Sequence, residues 1–267
     1  TQQLIELWWE GSDGNSNLHN LESRALPLGT EYSRQEQRTR EASLRGFLEI
    51  LAGVLANPPN NATERSASQE RILTALDILM AEGLGFTEEQ RNLLLSEAFT
   101  ESAIQFAQTA RRFDPDIAGE AIFQASRNVF TMNSIQVLLG LPVRLTPAVF
   151  AYSMLYPYTD NYLDDPVVSS TTKLAFNRQF ALRLQGNPIP PANAQEQRIY
   201  DLVGMIEEQF DRTRDPLVVA SLSAIHHAQM RSLQLLQPGV PPYTVDVLGI
   251  SLEKGGTSVL ADGYLVA

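Results

Sequence analysis

The chain has 267 residues and a formal net charge of −11, from 20 Lys and Arg against 31 Asp and Glu. This balance argues against a nucleic-acid partner, because neutralising a phosphate backbone requires clustered cations. The absence of cysteine excludes disulfides, thiolate zinc sites, iron–sulfur clusters and cysteine nucleophiles together.

The remaining composition limits the metal chemistry and the location. The sequence contains only 3 histidines, so a metal would be held by oxygen ligands and would resemble Mg²⁺, Mn²⁺ or Ca²⁺. With 43% hydrophobic residues the chain can bury a sizeable core. No apolar run is long enough to span a membrane, so we expect a soluble, cytoplasmic protein without a transmembrane segment.

Residues 1–32 form a distinct N-terminal extension. Trp8 and Trp9 precede a polar stretch over 11–17, and no helical periodicity precedes Ser33. We assign this extension no functional role and place one domain over 33–267, with the polar loop over 57–68 as an alternative seam.

Helix signals recur from Ser33 onward. Capping boxes, in which a side-chain oxygen and a carboxylate or amide each take a free backbone N–H, predict three helix starts: Ser33 to Glu36, Ser66 to Gln69 and Thr87 to Gln90. Three more starts have proline at the first helical position: Asp114-Pro115, Thr146-Pro147 and Asp215-Pro216. Predicted helix ends lie at Asn57, Gly83, Gly140, Asp165, Gly186 and Gln237.

The pattern predicts an all-α fold. No stretch alternates apolar and polar residues between turn signals, so strands are not expected. The long helical segments and short loops favour a single large helical bundle over two small domains.

The segment 148–165 carries the most informative residues. It begins as an apolar and aromatic helix and ends with Asp160, Asp164 and Asp165. Asp160 and Asp164 are four residues apart, so they share one helix face, where their repulsion would be offset by a divalent cation. The alternative is a solvated helix end that runs into a turn at Pro166.

The second segment, 251–267, contains a glycine pair inside a helical pattern. Lys254, Gly255, Gly256, Thr257 and Ser258 would bring an ammonium, hydroxyls and freed N–H groups near one point, which suits a diphosphate. The alternative is a glycine pair that lets two helices pack closely.

Together the two segments resemble class I isoprenoid (terpenoid) synthases, closest to the large-terpene (tetraprenyl-curcumene) and squalene/phytoene synthase branches. Asp160-Asn-Tyr-Leu-Asp164-Asp165 is similar to the family's aspartate-rich motif, and the stretch from Lys254 to Asp262 is similar to its diphosphate-facing helix. The resemblance implies a helical bundle with a central apolar cavity. It also implies Mg²⁺, or alternatively Mn²⁺, and a prenyl diphosphate substrate.

The resemblance assigns roles to residues of both segments. Asp160 and Asp164 would be catalytic and, with Asp165, would hold the metal. Lys254, Gly255, Gly256, Thr257 and Arg231 would bind the diphosphate. The hydrocarbon pocket would be lined by residues before the aspartates, namely Phe150, Tyr152, Ser153 and Tyr156. The expected enzyme is a terpene cyclase (lyase) or prenyltransferase that ionises the allylic diphosphate.

Weaker expectations complete the set. On the helix that begins at Pro216, His227 and Gln229 could reach the diphosphate or guide a proton, and His226 is a secondary candidate. Asn133, Gln136 and Arg178 are weaker still, and we expect Glu207, Glu208 and Asp211 on a solvated helix face.

Two larger questions stay open at this point. The family has a second acidic motif after the lysine-bearing helix, so we expect the natural sequence to continue beyond Ala267 into such a motif. A non-catalytic prenyl-lipid-binding or protein-interaction domain is the alternative function, and a homodimer is also open.

Overall fold

The computed structural model describes residues 32–232 and 245–267, without the side chains of Leu55, Tyr156, Asp164 and Ser170. These residues form helices and no strand, which confirms the all-α prediction. A π-helical turn, Leu79–Gly83, directly continues the second helix. The α-helices are α1 Arg34–Ala56, α2 Ala62–Ile78, α3 Glu88–Leu94, α4 Glu97–Phe113, α5 Gly119–Leu138, α6 Pro147–Asp164, α7 Ser170–Leu184, α8 Ala194–Gln209, α9 Pro216–Ser232 and α10 Val247–Val266.

Four of the predicted helix starts are confirmed. Ser33 and Thr87 each form a complete capping box. The Thr146 side chain accepts a hydrogen bond from the Val149 N–H at 3.2 Å, ahead of Pro147. Helix α9 begins at Pro216.

Two predicted starts are wrong: one helix is capped by an earlier residue, and no helix begins at the other position. Helix α2 begins one turn before Ser66, since Asn61 accepts a hydrogen bond from the Glu64 N–H at 2.9 Å. Asp114 follows α4 instead of capping a helix, and its Oδ1 accepts from the Asp116 N–H at 3.2 Å to close a turn. The next helix starts only at Gly119.

The helix ends follow the glycine and proline signals. Asn57 and Asp165 are the C-caps of α1 and α6. Gly140 and Gly186 lie just past α5 and α7 with φ of +70° and +90°, conformations that favour glycine. Gly83 ends the π-helical turn. The predicted end at Gln237 lies outside the described residues.

The chain groups into two compact units, with a boundary inside α4 after Thr100. We call residues 32–100 the N-terminal unit and the described residues from Glu101 onward the C-terminal unit. In the N-terminal unit, Arg40 on α1 donates to the Gly83 carbonyl at 2.7 Å, and Ser43 donates to Glu82 at 3.0 Å. The expectation of one domain over 33–267 stays a prediction.

The hydrophobic core of the C-terminal unit is built around α6. Phe150 contacts Phe106 and Phe113, with ring centroids 5.6 and 6.0 Å away. Helix α6 packs against α5, α8 and α10, and α9 packs along α10. Among the helices of residues 32–232 and 245–267, none is long and apolar enough to cross a membrane.

Candidate functional site

Two buried tyrosines fix the end of α6 that carries Asp160. The Tyr158 hydroxyl donates to Asp114 at 2.5 Å, and Arg198 approaches the other Asp114 oxygen at 3.3 Å. The Tyr162 hydroxyl donates to Glu196 at 3.0 Å. Burial raises the pKa of both tyrosines, so both hydroxyls stay protonated donors. These bonds hold the last two turns of α6 against neighbouring elements.

Asp160 lies between the two tyrosines in sequence and turns toward α9. The Gln229 amide nitrogen donates a hydrogen bond to Asp160 Oδ1. Asp160 is half-buried, whereas Gln229 is buried. The contact fixes the orientation of this carboxylate on a rigid helix, which a binding group requires.

A second charged contact lies in the same turn of α9. Arg231 pairs with Glu253 on α10, and Glu253 is buried. Gln229 and Arg231 are only two residues apart, about 3 Å along the axis, but they leave the helix in different directions. Lys254 follows Glu253 and is half-buried. The end of α9 therefore contacts both segments singled out in the sequence, 148–165 through Asp160 and 251–267 through Glu253.

The glycine pair does not form the predicted cradle of freed N–H groups. Helix α10 runs without a break from Val247 to Val266, so its internal N–H groups bond to its own carbonyls. The Thr257 hydroxyl donates to the Glu253 carbonyl at 2.6 Å, which uses its hydrogen within the helix. A Cβ at Gly255 would meet no described atom within 4 Å, so close helix packing is not the reason for this glycine.

An apolar pocket lies beside Asp160, between α6, α7 and α9. The cavity volume is about 20 Å³, which is room for about one water molecule. The lining side chains are Tyr152, Leu155, Thr159, Phe180, Leu184, Leu222, Ile225, His226 and Gln229. Gln229 thus lines the pocket and binds Asp160, so polar and apolar surfaces meet at one side chain.

The helix directions define the depth of this pocket. Thr159 and Gln229 lie at its polar end, whereas Tyr152 and Leu222 lie seven residues earlier on α6 and α9, about 10 Å lower. Helix α7 runs the opposite way, because Phe176 contacts Tyr162 at 4.8 Å and Phe180 contacts His226 at 5.0 Å. Aromatic and aliphatic groups therefore surround the lower part.

A buried polar cluster lies where α5, α6 and α10 meet. The Asn128 amide donates to Asp262 at 3.0 Å and approaches the Ser153 hydroxyl at 3.3 Å. Burial raises the pKa of Asp262 to about 7, and the Asn128 hydrogen bond only partly opposes this rise. Tyr152 contacts Ser258 of α10 through hydroxyls 3.4 Å apart.

The predicted site residues are only partly brought together. Tyr152 lines the pocket, but Phe150 packs in the aromatic core and Ser153 faces Asn128. Asp165 Oδ1 accepts from the Val167 N–H at 2.8 Å and closes the turn after α6. The side chains of Tyr156 and Asp164 lie outside the described part.

Sequence reasoning misplaced one acidic group and missed part of the pocket. Glu207 is not on a solvated face, because Arg183 binds both its oxygens, at 2.6 and 2.7 Å, and Arg212 also binds it. Burial would raise the pKa of Glu207, but these arginines lower it. Phe180 and Leu184 were missed, and their four-residue spacing on α7 was the available signal.

The donor chemistry near Asp160 suits Mg²⁺ in part. Among the described residues, no group of three or more Asp, Glu or His side chains could hold a metal ion. Mg²⁺ is commonly bound through one or two carboxylates while substrate phosphates and water supply the remaining oxygens. Asp160 is one such carboxylate, and the side chain of Asp164, one turn later, is outside the described part.

Comparisons of the chain with protein-family models, with curated proteins and with solved structures gave no match. The family resemblance therefore rests on the two sequence segments alone.

Proposed function

We propose that the protein binds a prenyl diphosphate with its hydrocarbon chain in the pocket and its diphosphate beside Asp160. The observation that carries this proposal is the position of Gln229, which lines the apolar pocket and also binds Asp160. A ligand that contacts both surfaces has an apolar chain and a head group that tolerates or recruits cations. The lining side chains would have to move apart to admit the chain, because the cavity volume is about 20 Å³. A prenyl diphosphate has both parts.

At the polar end of the pocket, different residues would hold the metal ion and the diphosphate. Asp160 and Asp164 would hold Mg²⁺, which when bound neutralises diphosphate charge and favours departure of the leaving group. Arg231 lies at the end of α9, and Lys254 follows its partner Glu253 in the sequence, so these two cations are the candidates for binding the diphosphate. Arg231 pairs with Glu253, so a bound diphosphate would compete with that carboxylate for its N–H groups.

The pocket would supply the conditions for ionising the C–O bond. Apolar and aromatic walls exclude water, and cations at the polar end favour the separated charge more than the neutral bond. The faces of Phe180 and Tyr152 could also stabilise an allylic cation. The proposed activity is therefore Mg²⁺-dependent release of diphosphate, with cyclisation or transfer as the outcome for the hydrocarbon.

The decisive variants are Asp160→Asn and the double change Asp160→Asn with Asp164→Asn. Asparagine keeps an oxygen for Gln229 but removes the charge that Mg²⁺ needs. Asp201→Asn is the matched control, because Asp201 is exposed on α8 and contacts Gln197 of its own helix. We expect wild type and control to release diphosphate with Mg²⁺ and not with EDTA, and the double variant to lose on the order of 10²-fold or more.

Full activity of the double variant would overturn the assignment of the aspartates. A second function, prenyl-lipid binding without turnover, needs the apolar pocket and no metal ligands. Calorimetric titration with prenyl diphosphates distinguishes the two, because binding without diphosphate release supports the second function. If the protein neither binds a prenyl diphosphate nor releases diphosphate from it, both functions are overturned.

A further inference from the structure

We propose that residues 4–9 of the N-terminal extension pack against an exposed apolar surface of α5, so that the chain covers this surface itself. We call this surface the α5 face. It consists of two apolar residues and one arginine on the helix and two leucines directly after it: Phe123, Arg127, Leu138, Leu139 and Leu141. The inference is independent of the proposed function, because none of these residues lines the pocket.

Helix α5 is apolar on two opposite sides. Val129 and Met132 lie on the inner side and are buried in the core. On the outer side, Phe123 is 72% exposed and Leu138 is 84% exposed. Their spacing places these two residues and Arg127 on one side of the helix, over a length of about 22 Å. A helix with apolar residues on two sides is normally covered on both, so the outer side is a docking surface.

The charges along the α5 face differ in sign from the charge of the whole chain. Between residues 121 and 144 the sequence contains Arg127 and Arg144 and no acidic residue, although the chain has a net charge of −11. Both arginines are exposed. The partner that suits this face therefore has apolar side chains and negative charge.

The start of the chain has both properties. All but one of residues 4–9 are large and apolar, namely Leu4, Ile5, Leu7, Trp8 and Trp9. The charged residues among 1–10 are Glu6 and Glu10, and this stretch contains no Lys or Arg. Six residues span up to about 20 Å when extended, which is close to the length of the α5 face. Docking there would give the two indole rings an apolar surface to cover.

The connection to the rest of the chain favours this segment over a partner from another molecule. Residues 10–31 join it to the described part, which begins at Tyr32, and can span up to about 70 Å. That exceeds the diameter of about 40 Å expected for a domain the size of the C-terminal unit, so the length of the connection does not prevent the contact. A tethered segment meets its own chain at a local concentration of up to about millimolar, above that of a second copy in dilute solution.

Disulfide cross-linking tests the docking in the full chain. The sequence has no cysteine, so a disulfide forms only between introduced cysteines. The test pair is Gln3→Cys with Thr131→Cys, because Thr131 is exposed on α5 one turn after Arg127. The matched control pair is Gln3→Cys with Thr171→Cys, at an exposed residue of α7. Mass spectrometry and non-reducing gels measure the rate of disulfide formation and show whether one chain or two are joined.

We expect the test pair to close within single chains, at a rate independent of protein concentration and about tenfold or more above that of the control pair. Adding Phe123→Ser and Leu138→Ser should slow the test pair about tenfold or more, because each large apolar side chain lost from a contact weakens it by about that factor. The matched double change, Leu174→Ser with Leu217→Ser, alters exposed leucines of α7 and α9 and should leave the rate unchanged.

Arg127→Glu gives an independent test of the same contact. It leaves the apolar side chains of the α5 face in place and should slow the test pair by repelling Glu6 and Glu10. Added salt should reduce this effect, because exposed charges are screened. An unchanged rate in Arg127→Glu at low salt would contradict the charge argument.

Other occupants of the α5 face give different results. If the test pair closes no faster than the control pair, or if the serine changes at Phe123 and Leu138 have no effect, the inference is overturned. Disulfides that join two chains, at a rate that rises with protein concentration, would show that a second copy covers the face. Cosedimentation with phosphatidylglycerol vesicles that Arg127→Glu abolishes, without a disulfide in the test pair, would assign the face to a lipid surface. Each of these two results also overturns the inference, and none of the measurements involves a prenyl diphosphate, so the proposed function is tested separately.

Discussion

Asp262 has a pKa that is raised by burial, which its residue type does not predict. It lies on α10 and is only 1% exposed, with Asn128 as its hydrogen-bond donor. The sequence places an aspartate eight residues after Lys254 but gives no indication that it is buried. Burial depends on how three helices meet, and helical periodicity alone does not fix that arrangement.

The raised pKa of Asp262 predicts a stability that falls as pH rises. Its pKa moves from 3.8 to about 7 on folding, so between these values the unfolded chain has lost a proton that the folded protein keeps. The free energy of unfolding should therefore fall by up to about 4 kcal/mol between about pH 4 and pH 7 because of this group.

Asp262→Asn tests this expectation by removing the titrating group while keeping an oxygen for Asn128. In urea unfolding, the variant should match wild type near pH 4 and gain stability relative to it toward pH 7. Asp201→Asn, at an exposed position, should show no such trend. A difference between Asp262→Asn and wild type that does not change with pH would refute the burial argument.

At the scale of elements, sequence predicts helix boundaries wherever one local signal has no competitor. Thr87 and Thr146 cap helices as expected because their partners lie within the same turn. Asp114 failed as a cap because Tyr158 and Arg198, distant in sequence, bind its carboxylate. Tertiary contacts can therefore override a local rule, and a single sequence does not show where.

The left-handed glycines after α5 and α7 allow a graded test. Alanine at Gly140, with φ of +70° and no described atom within 4 Å of a Cβ, should cost about 1 kcal/mol. Gly186→Ala should cost more, since its Cβ would also lie 3.1 Å from the Arg212 side chain. Arg212 also donates to the Leu184 carbonyl at 2.7 Å, which resists its displacement.

Gly204→Ala is the matched control within α8. Its Cβ has open space, and alanine is the better helix former, so this variant should be neutral or more stable by about 0.5–1 kcal/mol. Thermal unfolding of the three variants should rank Gly204, Gly140 and Gly186 in order of increasing cost. Equal costs at Gly140 and Gly186 would show that Arg212 moves aside freely.

At the scale of the whole molecule, the all-α class followed from the sequence, but the uneven packing did not. Helix α1 has no buried side chain among those described, whereas α8 buries six of its 16 residues. The apolar spacing of both helices is similar, so periodicity predicts their existence and not their burial. The pocket wall from α7 was likewise missed because its packing partners are distant in sequence.

This contrast predicts different local stabilities. Helices with few buried apolar contacts open more often, so the amides of α1 should exchange hydrogen about tenfold faster or more than those of α8. Hydrogen–deuterium exchange with mass spectrometry, corrected for intrinsic rates, gives this comparison in the intact chain. Equal protection of α1 and α8 would mean that α1 opens only when the whole protein unfolds.

The buried tyrosines of the C-terminal unit also have an optical consequence. Both tryptophans, Trp8 and Trp9, precede the described residues, whereas Tyr152, Tyr158, Tyr162 and Tyr200 lie around α6 and α8. Tryptophan emission excited at long wavelength therefore reports on the surroundings of Trp8 and Trp9. The near-ultraviolet circular dichroism of tyrosine reports on the helices around the pocket, so one sample gives two separate spectroscopic signals.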